Sequence, residues 1–359
     1  MVNKKIRIVD IARLADVSPG TVDRVIHNRG RIAPDKKARI EEIIKQVGYK
    51  PNIAARMLAI GRTYSIAAVV PSYVDESYWG QVCEGCIKAA EELGQGNIKV
   101  DFIYFDLYDR HSFDRVTFDI DWELYDSVVI AALFEEQTRK LSTQLDAIDK
   151  PYIYIDSLVD GESNLAYFGV DAYASGRIAG KMLCCEIDAE SAIVIVYIQF
   201  RRNEITPQMR KREEGLLQYL RESGRESKVE YIEYNPEQPD QTTAALRRII
   251  GKGDKKVGVV VLNSRVYELV ASLVSAAKTD TDTNMREQIS MLGFDAIMPN
   301  IKAMNEGWVR VLISQRPKLQ GYNAVKALSN FFLFDALPNR INHTPIDILI
   351  PENIGYYTD

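Results

Sequence analysis

The sequence predicts a small all-α head joined to a large α/β body built on parallel sheets, and three observations lead there. Residues 11–26 write two very short helices with a tight turn between them, near the start of a chain of 359 residues. Beyond them, short apolar runs (Ile66 to Val70, Val128 to Leu133, Ile193 to Ile198, Val257 to Leu262) alternate with helical stretches. Such alternation marks strands buried on both faces of parallel sheets. The charge is also split. Residues 1–62 hold 14 Lys and Arg against 6 Asp and Glu, net +8, while the rest holds 31 against 44, net −13, within a total of −5.

In the head, Ile11, Leu14 and Ala15 recur at i, i+3, i+4 and give the first helix an apolar face. Asp16-Val17 breaks the period, and Asp tolerates the left-handed backbone that a tight turn needs. Ser18 suits an N-cap and Pro19 the first helical position. Val22, Val25 and Ile26 form a second face, and both faces can share a core with Ile40, Ile43 and Ile44 of a third helix. Pro19, Gly20, Thr21, Asp23 and Arg24 are left outside. A helix-turn-helix is used to place a helix in a DNA groove and also occurs as a plain packing unit. The basic charge of the same segment favours phosphates as its partner. Pro51 to Ala59, stopped by Gly61, reads as a linker too short for a stable isolated helix.

In the body, helices are expected over Trp79–Leu93, Gln137–Ile148, Ser175–Cys185, Arg212–Ser223, Thr242–Ile250, Tyr267–Ala277 and Gln320–Phe334. No apolar run approaches the roughly 20 residues of a membrane helix, so no membrane partner is expected. Met1 to Lys5 is charged and no apolar h-region follows, which predicts a cytoplasmic protein acting on the nucleoid. Cys83 and Cys86 have C-x-x-C spacing but fall on a helix face, and Cys184-Cys185 read as buried thiols of a reducing compartment. His27, His111 and His343 form no metal-ligand spacing. Gly176 to Lys181 mimics a phosphate loop but is one residue short, with Met182 where Ser or Thr is needed. No nucleophile elbow and no dinucleotide fingerprint appears. No catalytic residue, metal or cofactor is expected, and an enzyme is the weakest reading.

Asp10-Ile11-Ala12, Val17-Ser18, Thr21-Val22, Arg24-Val25, Tyr49, Pro51-Asn52, Ala55 and Leu58-Ala59 form a spaced set. With them the chain resembles the LacI/GalR family of transcriptional regulators, from Ile8 to about Pro351. The resemblance implies a periplasmic-binding-protein-like body of two lobes with a ligand clamped between them. It implies a helix-turn-helix domain over 1–50 and a hinge helix or linker over 51–63. An N-terminal lobe would then comprise 64–168 and 316–344, and a C-terminal lobe 169–315 and 345–359. The chain would cross between lobes near Gly169, Gln315 and Thr344.

The second helix is implied to enter the major groove, with Pro19, Gly20 and Arg24 choosing bases. Arg24 can donate two hydrogen bonds to a guanine edge, whereas Pro19 and Gly20 can read only shape or a methyl group. Ser18, Thr21, Asn28 and Arg31 complete the DNA-contacting set, the last three as phosphate contacts. Asn52, Ala55 and Leu58 belong to the implied hinge, where a pair of Leu58 side chains would wedge the minor groove of a bent operator. Asp23 departs from the small Ser usual at its position; pairing with His27 and pairing with a neighbouring Arg both remain open.

Ligands of such folds sit at the carboxyl ends of strands. That rule selects Ser72, Tyr78 and Trp79, Asp156, Asn263, Asp295 and Gln315 as effector contacts, and the resemblance implies Arg212, just ahead of Gly215, as the residue that grips the ligand. Each has a plainer alternative: a cap or turn for the aspartates, lobe core for Trp79, helix surface for Arg212. Carboxylates, amides and an Arg together suit a polyhydroxyl ligand, so a sugar or sugar derivative is the expected effector. Arg201, Arg202, Arg210, Lys211 and Arg212 crowd one loop, which fits either a basic rim or an anionic effector. The expectation is a homodimeric, ligand-responsive repressor on a palindromic operator of double-stranded DNA. A sugar-transport protein would explain only the body, and a sugar-modifying enzyme would need a catalytic set that is absent.

Overall fold

A computed structural model describes residues 6–26, 32–49, 62–94, 97–198, 205–235, 238–250, 255–279 and 285–357. The head is three helices, α1 (Ile8–Ala15), α2 (Pro19–Ile26) and α3 (Pro34–Val47). Asp16 closes α1 in the left-handed region at φ 55°, and its N–H returns to the carbonyls of Ala12 and Arg13. Ser18 Oγ accepts the Thr21 N–H at 3.2 Å and so starts α2. Ile11, Ala12, Ala15, Val22, Val25 and Ile40 form the core. Leu14 is not part of it: at 55% exposure it faces solvent. The buried arc of so short a helix centres on Ile8, Ile11, Ala12 and Ala15, and Leu14 falls beside that arc.

The body opens with β1 (Tyr64–Pro71), α4 (Tyr78–Gly94), β2 (Ile98–Phe105), α5 (Arg110–Phe118), β3 (Ser127–Ala131), α6 (Glu135–Asp146), β4 (Tyr152–Ile155) and β5 (Ala166–Gly169). It continues through α7 (Ala172–Glu186), β6 (Ile193–Ile198), α8 (Pro207–Glu222), β7 (Val229–Tyr234), α9 (Pro239–Ile250), β8 (Val257–Val261), α10 (Val266–Thr279), the single turn α11 (Met285–Gln288), β9 (Ile289–Phe294), α12 (Met298–Asn305) and β10 (Val309–Ser314). Last come α13 (Pro317–Phe334), β11 (Ile341–His343) and β12 (Asp347–Leu349).

Two six-stranded sheets result. The first runs β11-β5-β4-β3-β1-β2, all parallel; the second runs β12-β10-β9-β8-β6-β7, parallel except for β12 against β10. Each sheet is the centre of its own lobe. The chain passes between the sheets after β5, after β10 and after β11, and one residue ties the three passages together. Thr344 donates its N–H to Gly169 O (2.8 Å) and its hydroxyl to Gln315 O (3.1 Å).

Strands β1, β3, β6 and β8 are almost wholly buried, because helices cover both faces of each sheet. The edge strands β2 and β7 are half exposed and carry Lys99, Asp101, Glu230 and Glu233, so no continuous apolar run announced them. Helices α8, α9 and α13 begin at Pro207, Pro239 and Pro317, earlier than Arg212, Thr242 and Gln320 suggested. Proline at the first helical position loses no intrahelical bond, and the apolar period starts only after it. Among the described residues no helix is long and apolar enough to cross a membrane.

Close helix pairing sets the depth of each lobe. A Cβ on Gly85 of α4 would lie 1.9 Å from Lys318 O of α13, and one on Gly176 of α7 would lie 2.0 Å from Arg212 O of α8. Only glycine permits backbones this close. The second contact fixes the backbone of Arg212 itself.

Candidate functional site

The carboxyl ends of both sheets face a small cavity of about 60 Å³ lined by Tyr78, Trp79, Asp156, Arg212, Asn263, Asp295 and Gln315, with Gln208 and Arg265 among its other walls. That is several times the room for one water and well below a drug-sized pocket, so the lobes stand nearly closed. Of the eight effector contacts expected from the sequence, seven meet here. Ser72 does not: it ends β1 with its N–H on Phe105 O, exposed and outside this lining.

Arg212 is the centre of the cavity. It is 1% exposed, and its Nη1 donates to Leu262 O at 2.7 Å. Its guanidinium lies over the Phe294 ring, 4.1 Å from the centroid. Nε and Nη2 have no hydrogen-bond partner among the described residues. Burial lowers the pKa of this guanidinium, and the charges of Asp295 and Asp156 work against that shift. The five cations expected in one loop do not share one: Arg201 and Arg202 lie outside the described residues, while Arg210, Lys211 and Arg212 stand on α8, the first two exposed. Arg210 and Lys211 line an adjoining groove of about 530 Å³ beside the lobe crossings, bounded by Asp160, Asp171, Tyr173 and His343 and sharing Asp156 and Gln208 with the cavity. Of the three described, Arg212 alone turns inward.

Asp156 follows β4 and Asp295 follows β9, both with left-handed backbone at φ 66° and 65°. Asp156 accepts the Tyr78 hydroxyl at 2.7 Å and the Ser157 hydroxyl at 3.0 Å. Burial raises its pKa; the Tyr78 bond and Arg212 oppose the rise. The phenol of Tyr78 is itself driven up, first by burial and then by the charges of Asp156 and Asp295, so it stays a donor. Asp295 accepts the side-chain amide of Gln315 at 3.0 Å and its backbone N–H at 3.3 Å. Burial pushes its carboxyl up to about 7 against the pull of Arg212 and Gln315.

Gln208, which the sequence reading passed over, joins these parts. Its amide donates to Asp156 O at 2.9 Å and to Gln315 Oε1 at 3.0 Å, linking the two lobes and the crossing. Thr206 caps α8 by accepting the Met209 N–H, and Pro207 follows at the first helical position. That Thr-Pro pair was the available signal for an earlier helix start. Trp79 lines the cavity, edge-on to Tyr78 at 5.0 Å. Cys83 and Cys86 are buried on α4; burial pushes the Cys83 thiol up to about 12 and the Cys86 thiol higher still, which suits packing rather than redox chemistry, whereas Cys184 and Cys185, expected to be buried, sit on the last turn of α7 half-buried and exposed.

On the head, Pro19, Gly20 and Arg24 are exposed on one side of α2, with Ser18 and Thr21 joined through their hydroxyls at 2.9 Å. Arg24 Nε donates to Gly20 O at 3.1 Å, which lays the guanidinium along that side. Asp23 is half-buried, and its charge, after burial, helps to raise the Tyr49 phenol at the end of α3. Asn28, Arg31, Asn52, Ala55, Leu58 and His27 lie outside the described residues.

The family described as bacterial regulatory proteins of the lacI family matches residues 7–52, and the family described as periplasmic binding protein domain matches residues 66–332. A stretch of 163 residues is 29% identical to the HTH-type transcriptional regulator DegA of Bacillus subtilis, covering 43% of this chain and 48% of that one. The HTH-type transcriptional regulator MalR of Streptococcus pneumoniae is 33% identical over 92 residues, 26% of this chain and 28% of its own. Catabolite control protein A of Staphylococcus xylosus is 35% identical over 80 residues, 22% and 24% of the two chains. The match thus spans about half or less of these relatives' length. A solved structure from Bacteroides fragilis assigned to the LacI transcriptional regulators superposes with a TM-score of 0.73 at 27% identity, covering 83% of this chain and all of its own. A solute-binding protein from Burkholderia graminis in complex with D-arabinose superposes at 0.70 with 14% identity, over 83% and 99% of the two chains, a likeness of fold.

Proposed function

This chain belongs to the periplasmic binding protein domain family and carries in front of it the head of the lacI family of bacterial regulators, and from that premise we propose a ligand-responsive transcriptional regulator rather than an enzyme or a transport receptor. It binds double-stranded operator DNA as a homodimer through α2, on a palindromic site, and acts as a repressor. A small ligand between the lobes alters operator affinity. Because operator and ligand are linked, each changes the affinity of the other by the same factor.

The observation that carries the ligand half is Arg212, buried with two nitrogens unpartnered between two buried carboxylates. Such donors lose free energy unless something accepts their hydrogens. The same cavity offers spare lone pairs on Asp156 and Asp295. A ligand that both donates and accepts from neighbouring positions satisfies all three groups, and a diol of a monosaccharide does so. With both aspartates ionised the trio carries a net charge of −1 and with Asp295 protonated it is neutral, while Arg210 and Lys211 line the adjoining groove and not this cavity. The reading is therefore an uncharged sugar rather than a phosphorylated or acidic one.

The test is a selection of operator DNA from a random pool by the whole chain, followed by thermal shift with pentoses, hexoses, hexuronates and sugar phosphates. The expected result is a two-fold symmetric operator and stabilisation by uncharged sugars that also shifts operator affinity. Failure to retain any DNA sequence defeats the regulator reading. Stabilisation only by the charged sugars defeats the choice of an uncharged one.

A further inference from the structure

A contact that no effector role explains crosses between the lobes. Tyr108 stands in the loop between β2 and α5 of the first lobe, and Arg265 stands between β8 and α10 of the second. The guanidinium of Arg265 sits over the Tyr108 ring, 5.0 Å from its centroid. Both ends are held from within their own lobes. The Tyr108 N–H is fixed by Asp106 Oδ1 at 2.8 Å, and Arg265 Nη1 pairs with Glu268 at 2.6 Å. The Arg265 N–H donates to Asn263 Oδ1 at 3.1 Å. Asn263 and Arg265 both line the cavity, as does Leu107 beside Tyr108. The side chain that the sequence marked as an effector contact, Asn263, is thus also the pedestal of Arg265.

We propose that Tyr108 and Arg265 form a latch that holds the two lobes closed over the effector cavity, making both of them positioning residues that set effector affinity without belonging to the Arg212 grip. The proposal rests on the reading of that cavity as the effector site. A ring face and a guanidinium attract at this distance, and the pair exists only when the lobes approach. Glu268 and the Tyr267 hydroxyl, 3.3 Å apart, stand behind the guanidinium and keep it turned to the ring. A ligand touching Asn263 braces the pedestal, so occupancy and closure strengthen one another. An open cleft separates Tyr108 from Arg265 and leaves Trp79 in reach of solvent.

Trp79 reports the latch without any ligand. In a chain whose other tryptophans are replaced (Trp122→Phe, Trp308→Phe), acrylamide quenching of Trp79 fluorescence measures cleft opening. For an exposed cation–π pair, Tyr108→Ala should raise the open population about two- to fivefold, and the quenching constant should rise with it. Arg265→Gln should do the same, and Tyr108→Phe, which keeps the ring, should restore the parent value. Unchanged quenching in both Tyr108→Ala and Arg265→Gln, with melting temperatures near the parent, overturns the latch. A general loosening is recognised by Tyr108→Phe behaving like Tyr108→Ala, and that result overturns it as well. Because no sugar is added, failure of the sugar reading would appear in the thermal-shift screen and not here.

Discussion

The two lobes present the same backbone device and supply it differently. In the first, β4 ends in Asp156; in the second, the strand in the matching place of the sheet order, β9, ends in Asp295, and both aspartates take the left-handed conformation. Asp156 is served by hydroxyls of its own lobe, from Tyr78 and Ser157. Asp295 is served twice by Gln315, which stands at a lobe crossing and also holds Gln208 and Thr344. The first carboxylate can therefore exchange partners locally when a ligand arrives. The second cannot move without disturbing the hinge, which makes the second lobe's aspartate the link between cavity and crossing.

The sharpest way to break this comparison is to remove the cation that both carboxylates share. Arg212→Met keeps the volume but leaves two carboxylates buried with no guanidinium between them. Sugar binding should fall roughly 100-fold or more, since a hydrogen bond to a charged group contributes about 1.5–3 kcal/mol and at least two are lost. Calorimetry with whichever sugar stabilises the parent measures it, and operator binding without ligand is the control. If affinity falls less than tenfold, Arg212 is a structural residue of the second lobe.

Next in size is the glycine packing that the lobes share. Gly85→Ala and Gly176→Ala each force a methyl against a backbone carbonyl, 1.9 and 2.0 Å away. Both should lower stability by about 1–3 kcal/mol in urea unfolding, the ordinary cost of overpacking. Only Gly176→Ala should also weaken sugar binding, because the carbonyl it displaces is that of Arg212. Equal effects on binding would mean that the lobes are coupled through more than the cavity.

How much of this was legible in the sequence follows from burial. Strands covered on both faces announced themselves as apolar runs, whereas β2 and β7 at the sheet edges mix Lys, Asp and Glu with apolar residues and did not. The strand-end rule found Asp156, Asp295 and Gln315, since a parallel sheet puts those positions at one end. It also chose Ser72, which sits at a strand end but is exposed outside the cavity. Arg212 was found through family resemblance; its burial needs the α7–α8 contact at Gly176, which no local pattern encodes. Gln208 lies ahead of the helical period that begins at Arg212 and so is hidden from it, though Thr206-Pro207 marks the true start of α8.

An effect that is small within any one pH unit separates the aspartates by pH. An unfolded Asp ionises near 3.9, whereas Asp295 is pushed up to about 7. Between those values the folded protein binds the extra proton, so this group makes stability fall as pH rises from about 4 to about 7, by at most about 1.4 kcal/mol per unit, and adds no slope above. Urea midpoints across that window should show the decline in the parent. Asp295→Asn should remove its share, and Asp156→Asn should leave most of it in place, because burial is the first cause of the Asp295 shift and the Asp156 charge a lesser one. A decline unchanged in Asp295→Asn would mean that Asp295 stays ionised through the window.

The smallest test concerns the exchangeable side of the comparison. Ser157→Ala removes the 3.0 Å hydroxyl bond to Asp156 Oδ2 while the Tyr78 bond to Oδ1 remains. A hydrogen bond to a charged group contributes about 1.5–3 kcal/mol, and a bond from the next residue in the chain belongs at the low end, so urea unfolding should show a loss of about 1.5 kcal/mol. If the first lobe's carboxylate is free to exchange partners, a ligand hydroxyl can take the vacated position. The stability lost in the free protein should then be largely recovered when sugar is bound, and the variant should bind sugar as tightly as the parent or more tightly. No such recovery is open to the second lobe, where the two bonds to Asp295 come from one residue and one of them is a backbone N–H. A Ser157→Ala protein that loses sugar affinity in proportion to its stability would show that Asp156 is as fixed as Asp295.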